Sequence, residues 1–142
     1  MLVSTKGRYA LRVLIDLAEH QTGDYVPLRA IAERQQISEK YLEAILKSLV
    51  RDKILAGMRG KGGGYKLAVA PEELTVGHIL RLTEPSLATV SCLAERGEKC
   101  RRRGECRTLP MWRELDSMIL AYLDGRKLAD LVKKGGSGAD GL

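Results

Sequence analysis

Residues 38–65 constrain this chain more than any other stretch, because a helix pattern of about four turns runs directly into a glycine-rich segment that carries cations. Leu42, Ile45, Leu46, Leu49 and Val50 follow the i, i+3, i+4, i+7, i+8 spacing of one buried stripe, and Ser38 stands where an N-cap belongs. Lys40, Glu43, Lys47 and Arg51 fall on the opposite face, free to reach a ligand. After Lys53 the period changes: residues 54–59 and 65–69 read as two short strands around a tip holding Arg59, Gly60, Lys61 and Gly62. Such a tip can lie against a phosphate backbone or enter a narrow minor groove. It is not a nucleotide loop, since no Gly-Lys-Ser/Thr closes a P-loop and Tyr65 stands where a dinucleotide fingerprint needs its third glycine. Taken singly, the charged face is solvated decoration and the tip an ordinary hairpin. Joined, they read as a recognition helix and a wing, and imply a DNA-binding regulator.

The rest of the chain bounds that reading. With 142 residues it can bury one core, with room for an appended helix. A net charge of +6 and a pI near 9.4 favour an anionic partner. A membrane surface would also suit that charge, but no apolar run is long enough to span a bilayer, and residues 1–20 lack the layout of a signal peptide. A cytoplasmic protein is expected. Three clustered cysteines fit a reducing compartment and a metal or redox role better than a disulfide framework.

Residues 5–20 form the first helix pattern, with Ala10, Leu11, Leu14, Ile15 and Ala18 on one side and Val13 and Leu17 widening the arc. Lys6, Arg8 and Arg12 crowd its first turns against the helix dipole, where they suit either an external anion or plain solvation. Residues 21–24 are a turn, and Pro27 precedes a short helix with Leu28, Ile31 and Ala32 inward. The link Gln35-Gln36-Ile37 into Ser38 completes a helix-turn-helix pattern. Beyond the wing, residues 76–83 return to the core as a helix ended by Pro85, with His78 read as structural rather than as a metal ligand.

Residues 86–107 have little periodicity and contain Cys92, Cys100 and Cys106 in a cationic setting that favours thiolate. Their C-x7-C-x5-C spacing matches no common zinc frame. From 111 to 123 the pattern is helical again, with Trp112, Leu115, Ile119 and Tyr122 in one stripe and Met111, Met118 and Leu123 extending it. One small domain cannot easily cover that surface, so a second copy of the chain is expected on it. Residues 127–133 add a short helical turn, and 135–142 read as a disordered tail.

Four groups of residues carry a family resemblance: Ser4-Thr5-Lys6-Gly7-Arg8-Tyr9-Ala10, Ile31-Ala32-Glu33-Arg34-Gln35-Gln36-Ile37-Ser38, Tyr41-Leu42-Glu43, and Arg59 through Tyr65. Together they resemble the Rrf family of winged-helix repressors. The cysteine loop followed by Trp112-Arg113-Glu114-Leu115 is similar to its cluster-binding, IscR/NsrR-like branch.

The resemblance implies a mainly α fold with a small β-hairpin wing: a winged helix-turn-helix domain over 1–84, a sensor loop over 85–108 and a dimerisation helix with a short terminal helix over 109–134. It implies a homodimer on near-palindromic double-stranded promoter DNA, with Ser38, Lys40, Tyr41 and Glu43 near the groove and residues 59–62 as the minor-groove wing. Cys92, Cys100 and Cys106 would hold an iron–sulphur cluster, [2Fe-2S] ahead of [4Fe-4S]. Two departures stand out. The first cysteine gap is longer than the branch's pattern, and Leu109 occupies the position of its histidine ligand. In relatives that use an acidic residue of the partner's first helix, this chain has Arg8. Glu84, Glu105, His78 and an exogenous thiol are the alternatives for a fourth ligand. Metal-free thiol sensing, a structural zinc site and a small iron–sulphur carrier or assembly protein are the competing functions; no paired acid and base or activated nucleophile suggests an enzyme.

Overall fold

Ser4 opens the first helix by accepting a hydrogen bond from the Gly7 amide, and the same hydroxyl donates to the Glu84 carboxylate at 2.9 Å. A computed structural model gives the structure of the chain and describes residues 3–94 and 102–133. Cys100 and the terminal residues expected to be disordered lie outside the described residues. Helices α1 (Thr5–Glu19), α2 (Leu28–Gln35) and α3 (Glu39–Arg51) come first, followed by strands β1 (Leu55–Met58) and β2 (Gly64–Leu67). Helix α4 (Val76–Thr83), the cysteine segment, α5 (Leu109–Asp124) and a 3-10 turn, Leu128–Leu131, complete the order.

The core collects one stripe from each of the first three helices. Ala10, Val13, Leu14 and Leu17 of α1 meet Ile31 of α2 and Leu42, Ile45, Leu46 and Leu49 of α3, closed by Ile54, Leu55, Leu74, Ile79 and Leu128. The buried centre of α1 is thus rotated from the expected Leu11–Ile15–Ala18 side towards Val13 and Leu17. Leu11 also packs against a second cluster, where Val76, Leu80 and Leu87 meet Leu120 and Leu123 of α5. Contact on two sides explains the width of the apolar arc on α1.

β1 and β2 pair antiparallel, Leu55 with Leu67 through Met58 with Gly64. They are shorter than the sequence pattern suggested. Val26 adds a bridge to Tyr65, its N–H donating to the Tyr65 carbonyl and its carbonyl accepting the Tyr65 N–H, both at 2.8 Å. The approach is so close that Gly64, at φ 145°, has no room for a Cβ against the Val26 carbonyl. The wing is therefore anchored to the chain entering α2, as well as to α3.

A buried carboxylate interrupts the core side of α1. Asp16, 2% exposed, receives Nε and Nη2 of Arg34 at 2.9 and 2.7 Å and the Gln35 side-chain amide at 2.9 Å. Burial pushes its pKa up, yet the hydrogen bonds from Arg34 and Gln35, with the Arg34 charge, hold it below the ordinary carboxylate value. Removing one member of a buried pair costs about 3–5 kcal/mol, and the partial exposure of Arg34 reduces this, so Asp16→Asn is expected to cost about 2 kcal/mol in urea unfolding. Because the folded pKa is lowered, this stability is present above the ordinary carboxylate value and is lost as pH falls through the folded one. The gap between wild type and Asp16→Asn should therefore close in acid. A pH-independent gap would contradict the assignment.

Candidate nucleic-acid interface and cysteine segment

Ser38 is the N-cap of α3, its hydroxyl accepting from the Tyr41 amide at 3.3 Å. The cap sets where α3 begins, and the buried stripe sets its rotation, so Lys40, Tyr41, Lys47 and Arg51 stand exposed and Glu43 half-buried on the outer face. Lys47 pairs with Glu43 at 3.1 Å and Arg51 lies 4.0 Å from Asp52. Both contacts are largely solvent-exposed and so readily exchanged for others. The Tyr41 ring meets the Tyr9 ring edge-on, centroids 5.8 Å apart.

Arg59, Gly60, Lys61 and Gly62 form the exposed wing tip. Gly60 and Gly62 sit at φ 91° and 78° with open space where a Cβ would go, and Gly63 N–H closes the turn on the Gly60 carbonyl at 3.0 Å. Among the described residues Lys6, Lys40, Arg59 and Lys61 form no ion pair, which leaves their charge available to a polyanion. Arg8 is exposed and donates to the Thr5 hydroxyl at 3.2 Å. Arg12 is engaged within the fold: its guanidinium covers Tyr9 and donates to Gln35. Sequence reasoning missed the Asp16–Arg34–Gln35 cluster. A carboxylate between Ile15 and Leu17 was the available signal, since an acid at such a position needs a partner.

Of the three cysteines, Cys92 lies in a 3-10 turn, Ser91–Leu93, and Cys106 just before α5, both half-exposed free thiols; Cys100 lies outside the described residues. Cys106 Sγ is 3.3 Å from the Thr108 hydroxyl. That hydroxyl most of all, then the Thr108 and Leu109 amides and the Arg102 charge, outweigh partial burial and hold the thiol pKa below its ordinary value. Leu109 is buried and offers no donor. Glu84 is committed to Ser4, accepting its N–H at 2.7 Å as well as its hydroxyl, and His78 is exposed on α4. Accessible thiols, one of them biased towards thiolate, are donors suited to iron or another soft metal. No group of three or more metal-ligating side chains is assembled among the described residues.

On α5, Leu120 and Leu123 face the core, and the Asp116 carboxylate accepts the Thr89 amide at 2.9 Å. The expected stripe is split: Trp112 and Ile119 are half-buried, whereas Leu115 and Tyr122 are exposed with Met111 and Met118. Met118 and Tyr122 are 63% and 61% exposed, a degree of apolar exposure that one chain leaves uncovered.

A family profile described as "Rrf2: Iron-dependent Transcriptional regulator" matches residues 3–134. The chain belongs to the Rrf2 family. Its members are transcriptional regulators rather than enzymes, and the mainly helical fold with a two-stranded wing is theirs. Relatives include the HTH-type transcriptional regulator IscR of Aliivibrio salmonicida (strain LFI1238), 38% identical over 132 residues, covering 93% of this chain and 77% of that one. Among solved structures, T. potens IscR is 35% identical with a TM-score of 0.72, covering 92% of this chain and 85% of its own. CymR (YrzC), the global cysteine regulator of B. subtilis, is 31% identical with a TM-score of 0.73, over 92% and 95%. No helix among the described residues of this Rrf2 protein is long and apolar enough to cross a membrane.

In the metal-free protein, Thr108→Val is expected to slow alkylation of Cys106 by iodoacetamide at neutral pH by about two- to fivefold, followed residue by residue by mass spectrometry. An unchanged rate would remove the hydroxyl from the account of this thiol.

Proposed function

We propose that this Rrf2-family regulator binds near-palindromic promoter DNA as a homodimer, acts as a repressor in the cytoplasm, and is controlled by an iron–sulphur cluster. The observation that carries the DNA-binding part is the joint display of the α3 outer face and a cationic wing tip from one core. In this reading residues 1–84 bind DNA, 85–108 sense and 109–134 dimerise. Lys6, Arg8, Lys47 and Arg51 contact phosphate, while Ser38, Lys40, Tyr41 and Glu43 face the major groove and residues 59–62 approach the minor groove. Trp112, Leu115, Ile119 and Tyr122 belong to the dimer face, which the exposed apolar residues of α5 support.

Cys92, Cys100 and Cys106 would hold the cluster, with [2Fe-2S] ahead of [4Fe-4S] and a fourth donor from elsewhere. When bound, the cluster supplies a redox- and iron-sensitive cross-link of the loop. The chain's own part is to anchor that loop: Glu84 ties its start to α1, and Asp116 ties Thr89 to α5. Control of DNA affinity follows if the ordered and unordered loops favour different placements of the two winged units. The IscR relatives and the iron-dependent family description support the cluster. Metal-free thiol sensing is the second reading, favoured by the lowered pKa of Cys106.

Selection from a random duplex library, followed by footprinting, is expected to recover two half-sites with centres about 34–36 Å apart or a multiple of that. Lys47→Ala should weaken all duplexes alike and reduce the salt dependence by about one phosphate contact, whereas Glu43→Ala should change base preference by about 1–3 kcal/mol at one position. Unrelated half-site spacing would contradict the dimer, and a uniform loss from Glu43→Ala would contradict its reading role.

A further inference from the structure

One polar side chain of α1, that of Arg12, is held on two sides. The Arg12 guanidinium lies over the Tyr9 ring, 5.0 Å from its centroid. Its Nε donates to Gln35 Oε1 at 3.2 Å, and its Nη2 donates to the Gln35 main-chain carbonyl. Gln35 is the last residue of α2, and the next residue, Gln36, makes the turn with a left-handed φ of 54°. The Gln35 amide is held from its other side, donating to Asp16 Oδ2. Tyr9 in turn meets Tyr41 edge-on at an interplanar angle of 78°, and Tyr41 lies in the first turn of α3. One guanidinium therefore grips the helix-turn-helix on both sides of its turn. It holds the end of α2 directly and the start of α3 through two rings that meet edge to face.

Two properties of arginine are used at once. Its planar fork supplies the donors to Gln35, and its flat, weakly hydrated face covers Tyr9. Lysine would preserve the charge but could not reproduce both contacts. A residue placed only to attract phosphate would need the charge alone.

We propose that Arg12 is a positioning residue for sequence readout, fixing the orientation of the start of α3, where Ser38, Lys40 and Glu43 stand, instead of binding phosphate. This rests on the DNA-binding reading above. Phosphate contacts set affinity and its salt dependence, whereas base contacts require correct hydrogen-bond geometry. A loosened α3 start therefore loses discrimination while keeping electrostatic attraction.

The test compares full-length wild type, Arg12→Lys and Arg12→Gln on a duplex recovered by the wild type from a random library and on a scrambled duplex, across a salt series. Amide hydrogen exchange of the DNA-free proteins is measured alongside. Arg12→Lys is expected to reduce the preference for the selected duplex by about tenfold, the scale of one good base contact. Its binding to the scrambled duplex should stay within about twofold with an unchanged salt slope. Arg12→Gln should lose at least as much preference. In both variants the amides of Tyr41 and Leu42 should exchange faster, while those of Val13 and Leu14 remain protected. Equal weakening of both duplexes by Arg12→Gln, with the salt slope falling by about one contact and full rescue by Arg12→Lys, would overturn the proposal in favour of a phosphate contact. Unchanged preference with unchanged exchange would overturn it outright. A wild type that prefers no duplex would overturn the DNA-binding reading itself, and the exchange rates would still decide whether Arg12 holds the turn.

Discussion

The placement of α2 against α1, and through it the start of α3, is registered by one buried carboxylate. Asp16 lies in the interior with both oxygens occupied by Arg34 and one also by Gln35. A carboxylate in that position is unfavourable unless it is paired and hydrogen-bonded, so its partners bring the end of α2 against the last turn of α1. Apolar packing between two short helices would tolerate sliding by a fraction of a turn, because it is not directional. The two-pronged Arg34 contact does not. With the end of α2 fixed, a single left-handed residue at Gln36 and the Ser38 cap determine where α3 starts.

The charges divide into two kinds once the fold is known. Buried Asp16 and the exposed Arg34 and Arg12 hold α1 and α2 together. Those at the edges, Lys6, Lys40, Arg59 and Lys61, have no ion-pair partner among the described residues. On the far side, α5 is held to α4 by Leu120 and Leu123 against Val76 and Leu80, and by a two-pronged contact of Arg81 with Asp124 at 2.6 and 2.8 Å. The cysteine segment leaves from the end of α4 and returns at the start of α5, and Leu87 at its beginning packs in the cluster that also takes Leu11 of α1. Glu84 completes that connection through Ser4.

The helices and the wing were legible in the sequence because each is specified locally. Ser38 and the Leu42–Ile45–Leu46–Leu49 stripe define α3 without reference to anything else, and α4 was found with the same bounds, Val76–Thr83. The wing was visible from the change of period, but its strands are shorter than expected, since only residues 55–58 and 64–67 meet ladder partners. What the sequence hid depends on tertiary partners. Arg12 suited either an external anion or plain solvation in the sequence because its partner Gln35 is 23 residues away. Glu84 looked like a spare metal donor because Ser4 is 80 residues away. On α5, pattern alone does not separate Leu120 and Leu123, which pack in the cluster with α4, from the outward Leu115, Met118 and Tyr122.

The central claim is that a cluster on the cysteine segment governs binding of DNA by α3 and the wing. The most direct measurement is made on protein purified without oxygen, with iron and acid-labile sulphide quantified, comparing its affinity for a selected duplex before and after chelation of the metal under reducing conditions. The account predicts matched iron and sulphide in the isolated protein and a change in affinity of about tenfold or more, the usual scale of a coupling between two sites. Matched iron and sulphide with the same affinity in both states would contradict it.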